Sequence, residues 1–259
     1  MLVDDKVVLI TGGAQGLGLA FAEEFLDNNA KVSFCDINND TGSQTLNILQ
    51  GKYGEDRVMF HLCDVANQAA MADFFKSTKS RFGVIDIVIN NAGIGDRITD
   101  WGRTIDINLK GMINGTNLAL EYLKTDNGGN GGVIINVASA AGLAPNPMSP
   151  IYCASKAGVI AFSQSLALSE DLAKNNIRIN TLCPAFADTA LVKSLFLDNS
   201  ENGKKVTGFV EKIGIMTTKE VADGLMELVT DDSKNGAILR MSKLKGKEYV
   251  SQVCQTNTM

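Results

Sequence analysis

Short apolar runs alternate with longer amphipathic stretches along most of the chain. Seven of these runs predict β-strands, and several are continuously apolar, as in a parallel sheet covered on both faces. The predicted strands cover residues 6–11, 31–36, 58–63, 85–90, 133–137, 177–183 and 237–241. The stretches between them predict helices at residues 17–28, 41–53, 68–82, 100–124, 151–174 and 219–230.

This order of elements predicts one α/β domain over residues 1–259: a Rossmann-type, doubly wound parallel sheet of about seven strands with helices on both faces. The glycine-rich residues 127–132 lie between a predicted helix and a predicted strand, which is typical of a surface loop. Residues 188–217 break the alternation. Long connections of this kind often cover a binding site, so we expect this segment to cover a substrate.

Charge and histidine content exclude several function classes. The formal net charge is −5, whereas nucleic acids and anionic membrane surfaces bind basic patches. His61 is the single histidine, so His-rich metal sites are excluded and Ser-His-Asp catalysis is disfavoured. At the end of a predicted strand, His61 is best explained without a catalytic role. We expect no metal and no nucleic-acid partner.

The cysteines indicate a reducing compartment. They are odd in number and widely spaced, without a C-x-x-C pair, and most lie in apolar runs, as expected of buried free thiols. The five are Cys35, Cys63, Cys153, Cys183 and Cys254. The chain has no secretory leader pattern and no apolar run near the roughly 20 residues that span a bilayer. We therefore expect a cytoplasmic protein without a membrane span.

A glycine-rich turn joins the first predicted strand to the first helix. Gly12, Gly16 and Gly18 lie in the run TGGAQGLG, where glycines permit a tight turn and a close approach to a pyrophosphate. The start of the helix offers free N–H groups and a positive dipole end to phosphates. Such a loop alone is a weak signal. Its place between strand and helix at the start of a βαβ unit makes it a strong one.

Asp36 ends the second predicted strand, eighteen residues after Gly18. A carboxylate here can accept hydrogen bonds from the adenosine ribose and would repel the 2′-phosphate of NADP. Neither Gln15 nor Ile37 carries a positive charge that could bind that phosphate. An isolated strand-end aspartate is usually only solvated, but after this glycine loop it predicts a preference for NAD.

Further polar residues follow in a regular order. The run NNAG at 90–93 closes the fourth strand, Asn108 lies in the next helix, and Ser139 follows the fifth strand. Tyr152 and Lys156 are one helical turn apart and therefore share a face. The phenol of tyrosine has a pKa of about 10, too high for a base at neutral pH. We expect the Lys156 ammonium, together with a positive nicotinamide ring, to lower that pKa.

With these motifs in this order, the chain resembles the short-chain dehydrogenase/reductase family over essentially its whole length. The resemblance implies a catalytic group of Asn108, Ser139, Tyr152 and Lys156. Tyr152 is then the general base, and Ser139 hydrogen-bonds the substrate oxygen. Lys156 also binds the nicotinamide ribose, and Asn108 holds a water that links Lys156 to solvent.

The resemblance also implies the residues that contact NAD and substrate. The cofactor set is Gly12, Gln15, Gly16, Leu17, Gly18, Asp36, Ile37, Asp64, Val65, Asn91, Ala92, Gly93, Tyr152, Lys156, Pro184, Phe186 and Thr189. The substrate set is Ser139, Met148, Ser149, Tyr152 and Phe186. One departure is Ala185, where the family has glycine, so we expect the backbone there to avoid positive φ.

Four segments carry a closer resemblance, to the hydroxyprostaglandin-oxidising branch of the family and its insect relatives: TGGAQGLGLAFAEEFL, NGGNGGVIINVAS, PIYCASKAG and NGAILRMSKLKG. This implies a secondary alcohol or ketone on an apolar, lipid-like molecule: hydroxyprostaglandin-like, retinoid, steroid or terpenoid. Apolar residues in 188–217 repeat at helical spacing and form either a pocket wall or ordinary domain packing. They are Leu191, Val192, Leu195, Phe196, Val206, Phe209, Val210 and Ile213. Nearby lysines (193, 204, 205 and 212) could favour a carboxylate tail.

Two other functions and one assembly stay open at this point. A catalytically silent NAD-binding sensor or scaffold would keep the nucleotide motifs but not the catalytic residues. A dehydratase or epimerase on this fold would need a more polar pocket. Small residues at 111, 115, 154, 158 and 161 permit close helix packing, either within the subunit or, as is common in the family, in a homodimer.

Overall fold

In the computed structural model, which describes residues 1–96, 98–144, 146–196 and 201–251, eight strands form one sheet in the order β3-β2-β1-β4-β5-β6-β7-β8. The first seven strands are parallel, and β8 pairs with β7 in the antiparallel direction. The strands are β1 Val7–Thr11, β2 Lys31–Asp36, β3 Val58–Leu62, β4 Ile87–Asn90, β5 Gly132–Val137, β6 Ile177–Pro184, β7 Ile238–Ser242 and β8 Gly246–Tyr249.

Helices connect the parallel strands. They are α1 Gly16–Asp27, α2 Asn39–Tyr53, α3 Gln68–Phe82, α4 Trp101–Ile105, α5 Met112–Leu123, α6 Pro150–Ala167, α7 Glu170–Lys174, α8 Ala190–Leu195, α9 Glu201–Ile213 and α10 Thr218–Thr230. A π-helical turn, Asp106–Gly111, joins α4 to α5.

The strand order creates a crevice at the middle of the sheet. Strand β1 pairs with β2 on one side and with β4 on the other, so consecutive connections leave β1 and β4 in opposite directions. In open parallel sheets, ligands bind beyond the carboxyl ends of the strands at such a reversal. The ends of β1, β4 and β5 carry the glycine loop, the NNAG run and Ser139.

Buried side chains cover both faces of the sheet. On one face, Phe21 and Phe25 of α1 belong to the same core cluster as Val221 and Leu225 of α10. On the other face, α3 and α5 contribute to a second cluster, which includes Phe74. Burial on both faces explains why the strands are continuously apolar, and it confirms the doubly wound α/β prediction.

Three details differ from the sequence prediction. The strand β8 was not predicted, because its residues (GKEY) are all exposed and carry no apolar alternation. The helix predicted at 100–124 is interrupted by the π-helical turn. The helix predicted at 151–174 ends at Ala167, and a short second helix begins at Glu170.

Four cysteines, at positions 35, 63, 153 and 183, are free and buried, as predicted. Cys254 lies outside the described residues, as do residues 197–200 of the segment 188–217. Across the described ranges, no helix is both long enough and apolar enough to cross a membrane.

Candidate active site

The glycine loop after β1 leaves no room for side chains. Gly12 has a φ of +65°, and a Cβ added there would lie 2.9 Å from the Cα of Ala92. A Cβ on Gly18 would lie 2.1 Å from the carbonyl oxygen of Gly12. Only glycine permits this positive φ without strain and so close a contact between backbones. The glycines therefore permit the tight turn between β1 and α1 that was predicted from the sequence.

The start of α1 presents the groups that would bind the phosphates. The helix begins at Gly16, its N-cap Gln15 is exposed and makes no side-chain capping bond, and its first turn has no acidic residue. The backbone N–H groups of a first turn have no acceptor within the helix. Thr189 caps α8 and lies close to Gly16, where an added Cβ would be 3.3 Å from its methyl group. The predicted residues Gln15, Gly16 and Thr189 are thus brought together.

Asp36 lies beside the same loop. One carboxylate oxygen accepts the N–H of Ala14 (3.2 Å) and the other accepts the N–H of Asn38 (3.1 Å). Each oxygen keeps lone pairs for the hydroxyls of a ribose. Ile37 follows with 60% of its surface exposed. This corner offers a carboxylate and an apolar side chain, and both fit an adenosine without a 2′-phosphate.

Asp64 and Val65 follow the end of β3, which pairs with β2 and so lies next to Asp36. Asp64 accepts the N–H of Ala66 (3.0 Å) and forms an ion pair with Arg103 of α4 (2.8 Å). Val65 is buried, and a Cβ on Gly111 would lie 2.8 Å from it. Arg103 was not singled out from the sequence, because an arginine on an amphipathic helix is usually only solvated.

Asn91 ties the NNAG run to the glycine loop. Its side-chain amide donates to the carbonyls of Thr11 and Gly12 (both 3.0 Å), and its own N–H binds the Thr11 hydroxyl (3.0 Å). Gly93 is exposed, and a Cβ there would lie 3.3 Å from both Asn108 Oδ1 and Lys156 Nζ. The nucleotide motifs and the predicted catalytic residues therefore meet at Gly93.

Tyr152 and Lys156 lie on α6, one turn apart as predicted. The ammonium of Lys156 is buried, donates to the carbonyl oxygen of Val137 (2.9 Å) and lies 5.8 Å from the centre of the Tyr152 ring. The Ser139 hydroxyl lies close enough to the Tyr152 phenol to lower its pKa. It also lies 3.4 Å from the carbonyl oxygen of Pro184 and accepts the N–H of Ala141 (3.1 Å). Ser139, Tyr152 and Lys156 thus form one cluster.

Burial works against ionisation in this cluster. Desolvation raises the pKa of Tyr152, and the neighbouring Ser139 hydroxyl lowers it by less. Desolvation also lowers the pKa of Lys156 to about 8. Lys156 by itself therefore does not give Tyr152 a low pKa. The predicted lowering would need the positive charge of a nicotinamide as well, and it stays a prediction.

The Lys156 pKa predicts a pH-dependent stability of the cofactor-free protein. Since the unfolded chain holds this proton up to about pH 10.5 and the folded chain only to about pH 8, stability should rise with pH across that interval. The free energy of unfolding should increase by about 3 kcal/mol over this pH interval. In urea unfolding, Lys156→Met should remove this rise between pH 8 and 10. A wild-type slope equal to that of the variant would contradict the shift.

Asn108 holds the loop that follows NNAG. It is buried in the π-helical turn, where its side chain accepts the N–H of Ile94 (2.8 Å) and donates to the carbonyl of Ile94 (2.9 Å). The same amide approaches the Ser155 hydroxyl (3.2 Å). Asn108 therefore links this loop to α6. The water predicted at Asn108 stays a prediction.

The remaining predicted residues surround the cluster. Met148 is exposed, and Ser149 is the N-cap of α6. Leu17 is half-buried on the first turn of α1. Pro184 ends β6, and Ala185 after it does not have a positive φ, as expected.

Apolar side chains of the segment 188–217 reach the same side. Phe186 packs edge to face against Phe209 of α9, with ring centres 6.0 Å apart. Leu191 of α8 lies 3.3 Å from where a Cβ on Gly95 would be. Val192 and Val210 are buried, whereas Leu191 and Phe209 keep 42% and 52% of their surfaces exposed. The apolar residues of this segment thus divide into some that pack in the domain and others that form an open apolar surface.

The part of the chain that the structure describes contains no group of three or more His, Cys, Asp or Glu side chains able to hold a metal ion. His61 stacks on Phe74 at 5.7 Å between ring centres.

Comparison with known proteins gives one family. The model of the family described as short chain dehydrogenase matches residues 6–200. The chain is 40% identical over 254 residues to the 15-hydroxyprostaglandin dehydrogenase (NAD⁺) of Macaca fascicularis, covering 96% of this chain and 95% of the relative. The Homo sapiens enzyme of the same name is 39% identical, with 96% and 95% covered. Among solved structures, levodione reductase aligns with a TM-score of 0.83 at 27% identity, covering 92% of this chain and 96% of its own.

Proposed function

This chain belongs to the short chain dehydrogenase family, and from that premise we propose that it oxidises a secondary alcohol on an apolar, lipid-like molecule with Tyr152 as the general base. The observation that carries this proposal is the meeting of two sets of residues at Gly93. Gly93 belongs to the NNAG run, which packs on the glycine loop at Gly12, and Lys156 and Asn108 approach it from the other side.

The enzyme is NAD-dependent, like the relatives it resembles. The residues present fit this cofactor, because Gly12 and Gly18 allow the tight turn and close backbone packing of a dinucleotide-binding loop and Asp36 offers a carboxylate for ribose hydroxyls. Pro184, Phe186 and Thr189 would border its nicotinamide end. When bound, NAD⁺ supplies a hydride acceptor and a positive charge close to the Tyr152 cluster.

We assign the proton transfer to Tyr152. Its phenol is partly buried beside Ser139, so a substrate hydroxyl placed between them would meet a base and a hydrogen-bond donor. Oxidation requires the O–H proton of the alcohol to leave, and the oxygen of Tyr152 would accept it. Ser139 would turn its hydroxyl from the long contact with Pro184 to the substrate oxygen.

Lys156 and Asn108 support that step. The Lys156 ammonium donates to the carbonyl oxygen of Val137. This bond fixes the ammonium close to Gly93, where it could reach a ribose. Asn108 fixes the loop at Ile94 and approaches Ser155, the residue before Lys156. All four predicted catalytic positions are occupied by residues that can act, which favours an enzyme over a silent NAD-binding sensor or scaffold.

The segment 188–217 would cover the substrate. Phe186, Leu191 and Phe209 present apolar surface beside the nicotinamide end, as a wall for a lipid chain or ring system would. Lys193 is engaged with Asp188 (2.9 Å), so it is less suited than Lys204, Lys205 or Lys212 to attract a carboxylate tail. We therefore propose a hydroxyprostaglandin-like, retinoid, steroid or terpenoid substrate.

A panel of alcohols tests this proposal. NADH formation should be followed with hydroxylated fatty acids, retinol, hydroxysteroids and terpene alcohols, and with ethanol and glycerol as small polar controls. Each buried methylene adds about 1–3 kcal/mol to discrimination, so kcat/KM should be at least about 100-fold higher for the best lipid. An equal or higher kcat/KM for the small alcohols would refute the apolar pocket.

We also propose a homodimer through α5 and α6. Gly111 packs on Val65, Gly115 on Asn90 and Gly158 on Leu109, so these three small residues serve packing within the subunit. Ala154, Ala157 and Ala161 of α6 are exposed, however, and Leu168 just beyond the helix has 75% of its surface exposed. Burying this face would favour self-association. Light scattering should give the mass of two chains, and the mass of one chain would contradict the proposal.

The proposed location is the cytoplasm. Free, buried thiols at Cys35, Cys63, Cys153 and Cys183 suit a reducing compartment. Fractionation of cells that express the protein would test this location, and recovery in a secreted or membrane fraction would contradict it.

A further inference from the structure

Asp96 contacts the backbone of the proposed general base. It lies three residues after Gly93, and its Oδ1 accepts the backbone N–H of Tyr152 at 3.1 Å across 56 residues of sequence. No motif distinguishes Asp96 in the sequence, because a single aspartate in a loop is normally solvated. The fold alone brings this carboxylate to the start of α6.

The N–H of Tyr152 has no other acceptor in the first turn of the helix. Ser149 is the N-cap of α6, but its side chain makes no capping bond. Pro150 has no N–H, and the N–H of Cys153 is taken by the carbonyl of Ser149 (2.9 Å). Tyr152 is the third helical residue, whose N–H is normally bound by the N-cap side chain. Asp96 replaces that missing cap from a different part of the chain.

The loop that carries Asp96 is itself fixed to the opposite wall of the site. Ile94 makes two hydrogen bonds to Asn108, and the carbonyl of Gly95 accepts the Thr104 hydroxyl (3.3 Å). Asp96 therefore connects Tyr152 to the element that holds Asn108. This contact limits how far the start of α6 can move relative to the crevice.

The surroundings of the second carboxylate oxygen indicate that Asp96 does more than stabilise the start of α6. Oδ2 of Asp96 is buried and has no hydrogen-bond partner among residues 1–96, 98–144, 146–196 and 201–251. Leaving a buried oxygen unpaired opposes folding, and a capping serine would close the helix without that cost. A buried polar oxygen without a partner calls for a structural or functional explanation.

We infer that Asp96 is a positioning residue for the proposed alcohol oxidation, because its bond to the Tyr152 amide fixes where the tyrosine hydroxyl lies in the crevice. This inference rests on the proposed function. Its action is geometric, because the bond is made to the backbone N–H of Tyr152 and not to its phenol. A displaced base slows the chemical step much more than it weakens cofactor binding.

Two substitutions and a matched control test the inference. With the best alcohol of the panel, Asp96→Ala should lower kcat about 10- to 100-fold, with little change in NAD affinity and the same midpoint in the pH profile. Asp96→Asn keeps an acceptor and should retain kcat within about threefold, because asparagine caps as well as aspartate. Asp100→Ala removes an exposed carboxylate of the same segment that makes no capping bond, and it should match the wild type.

Amide hydrogen exchange supplies a second measurement on the unmodified protein. The Tyr152 N–H should be protected in the wild type, although its place in the first turn leaves it no acceptor within the helix. Wild-type kcat in Asp96→Ala, an equal loss in Asp96→Asn, or rapid exchange at Tyr152 would each overturn the inference. If no alcohol of the panel supports NAD⁺ reduction by the wild type, the proposed function is refuted instead. The exchange measurement would then still test the contact between Asp96 and Tyr152.

Discussion

Replacing Tyr152 by phenylalanine should lower kcat for alcohol oxidation by about 10³-fold, because the variant loses the oxygen that accepts the substrate proton. Shape and packing are nearly conserved, and the contact of Asp96 is to the backbone, so NAD should bind with nearly unchanged affinity. Steady-state kinetics with the best alcohol of the panel, together with calorimetric titration of NAD⁺, would measure both quantities.

Tyr122→Phe is the matched control for this substitution. Tyr122 is a partly buried tyrosine of α5 whose ring packs against Phe75 at 5.5 Å between centres, a contact that phenylalanine preserves. Its kinetics should equal those of the wild type. Substantial turnover by Tyr152→Phe would show that Tyr152 is not the general base, whatever the kinetics of Tyr122→Phe.

The second large effect concerns the cofactor. The wild type should strongly prefer NAD, because Asp36 would place a negative charge beside the 2′-phosphate of NADP. Replacing Asp36 by alanine together with Ile37→Arg removes that charge and adds a cation at an exposed position. The ratio of kcat/KM values should shift toward NADP by about 10- to 100-fold, the size of effect expected for a hydrogen bond to a charged group.

Asp40→Ala provides the control for net charge, because Asp40 is an exposed carboxylate in the first turn of α2. It should leave the preference unchanged. Similar kcat/KM values for NAD and NADP in the wild type would show that Asp36 does not select the cofactor.

The sequence was most informative where one local pattern determined both an element and the position of the candidate residues on it. The prediction that Tyr152 and Lys156 share a face depended only on their lying in one helix, and both lie on α6. The glycines at 12 and 18 required only a strand followed by a helix, and the backbone contacts at both positions agree. The parallel strands were predictable for a similar reason, because burial on both faces gives each strand its own apolar run.

Contacts between distant parts of the chain were not predictable in this way. The bonds from Asp96 to Tyr152 and from Arg103 to Asp64 join residues 56 and 39 positions apart. Nothing in their neighbours distinguishes either side chain from a solvated charge. The edge strand β8 was not predicted for another reason. Its exposed residues have no apolar periodicity, and its pairing with β7 depends on the backbone.

The central claim is that this chain transfers a hydride directly from the carbinol carbon of an apolar secondary alcohol to NAD⁺. The most direct measurement uses the best alcohol of the panel with deuterium on that carbon, followed by mass spectrometry of the reduced cofactor. We predict that the deuterium appears on the nicotinamide ring in the wild type and that Tyr152→Phe forms almost no labelled cofactor. Reduced cofactor without deuterium, or no reduction with any alcohol of the panel, would contradict the account.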